Sequence, residues 1–89
     1  MGLFSKKSKV DYNLMFKEQY RSLNKVNQQA HEELDYKIKE SLLEVVVEKY
    51  NELIALIDQG AKQDREHFVA LRKNAREELE TVKKINEDQ

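Results

Sequence analysis

The sequence predicts an all-α protein, an antiparallel helical hairpin, and three observations carry the prediction. Turn-forming residues are scarce, since the 89 residues include no proline and only two glycines, Gly2 and Gly60, whereas a sheet protein needs many tight turns. Apolar residues recur every three or four positions along most of the chain, which is the period of an α-helix. Leu, Ile, Val and Phe make up 24 of the 89 residues while the net charge is −1, a balance that favours an ordered core over disorder.

The first predicted helix runs from about residue 11 to 58 and contains a change of register. A stripe of apolar residues runs from Tyr12 to Leu34, and the heptad register fails after Leu34. The stripe resumes at Ile38 and Leu42, so two successive steps of four produce a stutter, a bend or a break. A continuous helix is favoured because the region 29–36 contains no glycine or proline to make a turn. A break near 29–36 is the alternative.

The second predicted helix runs from about residue 61 to 86, after a stop at Gly60. Glycine suits the position just past a helix end, where the backbone often takes a positive φ. The segment 38–57 is apolar over about half its circumference, so it must touch more than one neighbour.

We therefore expect two hairpins to pack as a dimeric four-helix bundle. A monomeric three-helix bundle accompanies the alternative break. The residues expected to carry the packing are Phe16, Tyr20, Leu23, Leu34, Ile38, Leu42, Val46, Tyr50, Leu53, Ile57, Phe68, Leu71, Leu79 and Val82.

The charge distribution divides the chain into a tail and one domain. Residues 1–10 contain Lys6, Lys7 and Lys9 and no acid, so we expect a basic, flexible tail before a single helical domain at 11–89.

Two runs of like charge recur at helical spacing within that domain. Like charges four residues apart disfavour a helix by about 0.2–0.5 kcal/mol per pair. The runs are either solvated outer faces or contact faces that pair between chains or receive a charged partner. They comprise Lys17, Arg21 and Lys25 on the first half of the predicted long helix, and Glu40, Glu44, Glu48 and Glu52 on its second half.

The sequence offers little for catalysis or metal binding. His31 and Asp35 lie one turn apart, as do Asp64 and His67, and such pairs can share a metal. A di-metal helical bundle also needs two Glu-x-x-His pairs and further carboxylates, which the sequence lacks. It contains no cysteine nucleophile and no glycine-rich phosphate loop. We expect no catalytic residue, no metal, no cofactor and no small-molecule substrate.

These features predict a protein that acts by contact, as a scaffold or regulatory adaptor that forms a homodimer and contacts other proteins. The alternative is binding to a membrane surface or to nucleic acid, through the basic tail and a basic flank of the last helix. That flank comprises Lys62, Arg65, Arg72, Lys73, Arg76 and Lys83.

Composition also bears on location. The apolar runs fall far short of the roughly 20 residues that a membrane span requires. The opening residues and the abundance of Lys, Glu, Asn and Ile resemble the style of small proteins from AT-rich bacteria, and cysteine is absent. We expect a bacterial cytoplasmic protein, with peripheral membrane contact as the alternative.

Overall fold

Three helices of similar length account for most of the chain. The computed structural model describes residues 10–89, where α1 spans Tyr12–Glu32, α2 spans Tyr36–Gln59 and α3 spans Arg65–Glu87. No strand occurs within this described range, so the all-α prediction is confirmed. The basic tail predicted at 1–10 lies almost entirely outside the described residues.

The long first helix predicted for residues 11–58 is wrong, because the chain breaks between α1 and α2. The Asp35 carboxylate accepts hydrogen bonds from the backbone N–H groups of Lys37 and Ile38, at 2.9 and 3.4 Å, and thereby caps α2. Asp35 itself has an extended backbone, and its N–H donates to the Glu33 carboxylate at 3.1 Å. An aspartate cap therefore makes the turn without glycine or proline, and the predicted alternative of three helices describes the fold.

The other two helices also begin at an aspartate. The Asp11 carboxylate accepts a hydrogen bond from the Leu14 N–H at 2.9 Å. The Asp64 carboxylate accepts from the N–H groups of Glu66 and His67, at 3.1 and 3.4 Å. A cap of this kind stabilises a helix by about 1 kcal/mol. Because Asp64 is the cap, α3 begins at Arg65 rather than near residue 61 as predicted.

Helix α2 stops where the sequence predicts, at Gly60. Its φ is +141°, a region that side chains disfavour. The N–H groups of Gly60 and Ala61 donate to the Leu56 carbonyl at 3.1 and 2.9 Å, which satisfies an orphan carbonyl at the helix end. A Cβ at position 60 would lie 3.4 Å from the Tyr12 ring, so the glycine also lets α1 approach closely.

Helix α2 is central and packs against both α1 and α3. Leu23, Leu43, Val46 and Leu53 are fully buried between the helices. Helices α1 and α3 meet through aromatic rings, since the Phe68 ring lies edge-on to Phe16 with 5.0 Å between centroids. The core therefore draws on all three helices of a single chain.

Candidate functional site

The predicted packing residues fall into three groups by burial. One side of each helix supplies the core, and the remaining members lie toward its rim or outside it. Buried members are Phe16, Leu23, Val46, Tyr50, Leu53, Phe68, Leu79 and Val82; half-buried members are Tyr20, Leu42, Ile57 and Leu71; exposed members are Leu34 and Ile38.

An exposed apolar stripe runs from the α1–α2 turn along α2. Leu34 exposes 92% of its surface, Ile38 49% and Val45 42%, with half-buried Leu42 between them. Spacings of four, four and three residues place the three α2 members on one side of that helix. Leu34 is a predicted packing residue that lies outside the intrachain core, because the turn carries it away from the helices. Large apolar side chains grouped in this way are a candidate for an interaction surface.

The stripe borders a groove between α1 and α2 that α3 does not fill. Near one end of the groove, Met15 and Gln19 of α1 line a shallow depression together with Glu52 and Leu56 of α2. Near the other end, a second depression is lined by Gln29 and Glu32 of α1, by Glu33 just after that helix, and by Ile38 and Leu42 of α2. Helical periodicity joins the two depressions into one surface, which we call the open face. Its members are Met15, Gln19, Ser22, Val26 and Gln29 of α1, Glu33 just after α1, and Ile38, Leu42, Val45, Lys49, Glu52 and Leu56 of α2.

Helix α3 lies on the opposite side of the α1–α2 pair, which we call the covered side. On α1, Tyr20 lies edge-on to Phe68 at 5.5 Å, and His31 Nε2 lies 3.2 Å from a Glu78 carboxylate oxygen. On α2, Arg72 donates a hydrogen bond to the Asn51 side chain at 2.8 Å. These contacts fix which side of the pair remains open.

Asn86 adds a contact on the covered side that the sequence pattern does not indicate. Its Nδ2 donates to the Tyr36 carbonyl at 3.0 Å and to the Glu40 carboxylate at 2.8 Å, while its buried Oδ1 has no partner. This contact ties the end of α3 to the start of α2. It also places Glu40, the first member of the acidic run, against α3.

The remaining charged residues of the two runs are exposed. Within the described range, no opposite charge lies within 4.0 Å of Lys17, Arg21 or Lys25. The same holds for the remaining acids, Glu44, Glu48 and Glu52. We call these residues the basic ladder of α1 and the acidic ladder of α2. The basic ladder is Lys17, Arg21 and Lys25, and the acidic ladder is Glu44, Glu48 and Glu52.

The basic flank predicted on the last helix is partly occupied by intrachain partners. Arg65 Nε donates to Asp58 at 2.7 Å, Arg72 holds Asn51, and Lys83 Nζ lies 3.8 Å from Glu80. Three of the six predicted cations therefore already have polar partners. Two of these partners, Asp58 and Glu80, are carboxylates, whereas Asn51 is neutral and leaves the charge of Arg72 uncompensated.

Two ionisable side chains with shifted pKa values, Asp58 and Tyr50, lie away from the open face. The hydrogen bond from Arg65 lowers the pKa of the Asp58 carboxyl below its ordinary value. Burial raises the pKa of Tyr50, and the neighbouring Tyr20 raises it further. The pKa shift at Asp58 therefore reflects an exposed ion pair with Arg65, and the pKa shift at Tyr50 reflects packing in the core.

The predicted histidine pairs are not assembled into metal-binding clusters. Asp35 and Asp64 serve as helix caps, His31 lies against Glu78, and the His67 ring lies edge-on to Phe68 at 5.2 Å. Across residues 10–89, no group of three or more His, Cys, Asp or Glu side chains is arranged to hold a metal ion. In the same part of the chain, no helix has the length and apolarity needed to cross a membrane.

Comparisons with known proteins add no functional assignment. No family model, curated protein or solved structure matches this chain. The open face and the two ladders are therefore the features from which a function is inferred.

Proposed function

We propose that this chain is a small helical scaffold or adaptor that acts by self-association and protein–protein contact through its open face. The carrying observation is the exposed stripe of Leu34, Ile38, Leu42 and Val45 beside the α1–α2 groove. Covering apolar surface releases roughly 25 cal/mol per Å². The groups on this face are apolar side chains, amides and a few charges, which suit contact, and the proposal includes no catalytic step.

The apolar content of α2 supports this role. Val46, Leu53 and Leu43 already fill the intrachain core at 0% exposure. Ile38 and Val45 extend the apolar surface around the helix beyond what α1 and α3 cover. An apolar face this wide is typical of a helix with an additional neighbour.

The proposal is tested by the solution mass of the full chain across a dilution series. Wild-type protein is expected to self-associate in the low micromolar range. Ile38→Glu, which places a charge on the open face, is expected to weaken association at least about tenfold, because an unpaired charge is costly to desolvate at an interface. Ala70→Glu is the matched control, since Ala70 is exposed on α3, outside the open face.

Circular dichroism should show equal helicity in all three proteins. A wild-type chain that stays monomeric at every concentration would contradict the self-association proposal. Equal weakening by both glutamate variants would show that the open face is not the contact surface.

A second candidate function, binding to a polyanion such as nucleic acid or an anionic membrane surface, is supported by the unpaired basic ladder beside Tyr20, Asn24 and Gln28. Such binding should weaken steeply as salt rises. It should also be lost when the ladder lysines and arginine are replaced by glutamine. Self-association can be distinguished from this binding, because it should be weakened by the Ile38→Glu substitution.

A further inference from the structure

We infer that the occupant of the open face is a second copy of this chain, related by a two-fold axis parallel to the helices. In this arrangement α1 of each copy lies over α2 of the other, antiparallel to it. The inference rests on the proposed function and specifies its partner. Two features carry it, namely the register of the α1–α2 pair and the signs of the two ladders.

The register of α1 against α2 follows from the two depressions. Met15 and Gln19 share one with Leu56 and Glu52, while Gln29 shares the other with Leu42. Each residue further along α1 therefore lies at the height of one residue earlier in α2. A two-fold axis parallel to the helices preserves height, so the same register applies between α1 of one copy and α2 of the other.

That register aligns ladders of opposite sign. Lys17, Arg21 and Lys25 lie at the heights of residues 54, 50 and 46, within two residues of Glu52, Glu48 and Glu44 respectively. Two residues correspond to about 3 Å along a helix, a distance that a lysine or arginine side chain easily spans. The basic ladder lies on the outer edge of α1, and the acidic ladder runs along the outer edge of α2 and reaches the open face at Glu52. The basic ladder of one copy therefore faces the acidic ladder of the other.

The signs also match beyond the ladders. At the turn end of α1 the outer edge carries Glu32, which lies at the height of residue 39 and near Lys37 of the second copy. The outer edge of α1 therefore changes from basic to acidic at the same height where α2 of the second copy changes from acidic to basic. Glu18 is the exception, because it lies near the height of Glu52.

Other two-fold arrangements place like charges together. An axis across the helices, within the interface, stacks α1 over α1 and brings the two basic ladders together. An axis perpendicular to the open face, with the copies side by side through α2, brings the two acidic ladders together. Like charges in opposition disfavour these assemblies, whereas the helix-parallel axis pairs opposite charges at both edges.

The open face is large enough for a dimer. Helix α1 has 21 residues, a length of about 32 Å at 1.5 Å per residue. Two adjacent helices are roughly 19 Å wide, so the projected face is roughly 600 Å² per copy. A standard stable interface covers roughly 800 Å² of accessible surface per partner, and a corrugated helical face has more accessible surface than its projection.

Charge reversal on full-length chains tests the arrangement. The acidic variant carries Lys17→Glu, Arg21→Glu and Lys25→Glu, and the basic variant carries Glu44→Lys, Glu48→Lys and Glu52→Lys. In each variant both ladders carry charges of the same sign, so its homodimer places like charges opposite one another. Each variant should therefore self-associate at least about tenfold more weakly than wild type. An equimolar mixture should form heterodimers with affinity near that of wild type, and native mass spectrometry distinguishes them from homodimers by mass.

A matched control separates pairing from net charge. The control variant carries Lys73→Glu, Arg76→Glu and Lys84→Glu on exposed positions of α3. It has the same net charge as the acidic variant, −7 instead of −1, since each substitution lowers the charge by two. It should dimerise more strongly than the acidic variant.

The outcomes distinguish this inference from the proposed function. A wild-type dimer that Ile38→Glu disrupts, but that both ladder variants leave unchanged, overturns the arrangement while the function stands. Ladder variants that weaken dimerisation without forming heterodimers also overturn it. A wild-type chain that is monomeric at all concentrations overturns both this arrangement and the self-association on which it rests.

Discussion

The α1–α2 pair has two sides that differ in what covers them. On the covered side, Val46 and Leu53 are at 0% exposure in a core shared by all three helices, and α3 adds polar contacts at Asn51 and Glu40. On the open face, Ile38 remains half exposed in the same helix. The helical period supplies apolar residues to both sides, but residues 10–89 contain only one further helix to cover them. The comparison shows how a small protein can complete a core and still leave apolar side chains exposed on one side.

The largest expected contrast is between two identical substitutions, one of a buried leucine and one of an exposed leucine. Leu53→Ala removes a fully buried side chain and should lower the free energy of unfolding by about 2–5 kcal/mol. Leu34→Ala changes a residue that is 92% exposed, so the free energy should change by less than about 0.5 kcal/mol. Urea unfolding at low protein concentration measures both values. Similar losses in the two variants would mean that Leu34 is part of the intrachain core.

Two adjacent valines provide a finer test of the same boundary. Val46→Ala deletes two buried methyl groups and should cost about 2 kcal/mol. Val45→Ala should leave monomer stability within about 0.5 kcal/mol and should instead weaken self-association, because Val45 belongs to the open face. Unfolding and dilution experiments on both variants separate the two effects. The reverse assignment, with Val45 affecting folding and Val46 affecting association, would invert the proposed orientation of α2.

The turn between α1 and α2 depends on an aspartate cap. Asp35→Ala removes the acceptor for the Lys37 and Ile38 N–H groups and should cost about 1 kcal/mol of unfolding free energy. Asp35→Asn is the control, since asparagine caps nearly as well as aspartate. Thermal or urea unfolding measures the difference. Equal stability of the alanine and asparagine variants would contradict a capping role.

The smallest expected effect is a pH dependence at the α2–α3 turn. The Arg65 hydrogen bond holds the folded-state pKa of Asp58 below its unfolded value. The carboxylate therefore contributes stability above the unfolded pKa of about 3.9, and loses it as pH falls through the folded value. Asp58→Asn should lose less stability than wild type between neutral pH and pH values below that range. Parallel acid titrations of unfolding would contradict this linkage if the two proteins showed the same pH dependence.

Local signals in the sequence predicted much of the fold. The 3.6-residue spacing of Phe16, Leu23, Val46 and Leu53 identifies helices and most of the core, because each helix repeats its own geometry. Gly60 marks the end of α2, since a positive φ is a local requirement. The sequence offers a break near 29–36 only as an alternative and does not identify Asp35 as the cap. An aspartate can cap a helix or lie exposed within one, and the choice depends on how the neighbouring helices pack.

The candidate site was less accessible to sequence reasoning. The pattern groups Leu34, Ile38 and Leu42 with the core stripe, yet Leu34 is exposed and Ile38 borders the open face. Val45 gave no separate signal within a run of three valines. Burial is a nonlocal property, since it depends on which helix lies opposite each residue.

By itself, the sequence determined an all-helical chain, the apolar sides of its helices and the signs of its charged ladders, because these follow from residue type and period. Tertiary structure decided that the chain turns back at residues 33–35, that α3 covers one side of the α1–α2 pair, and that the other side stays open. Those outcomes depend on the relative positions of helices distant in sequence, where packing energies of many side chains act together.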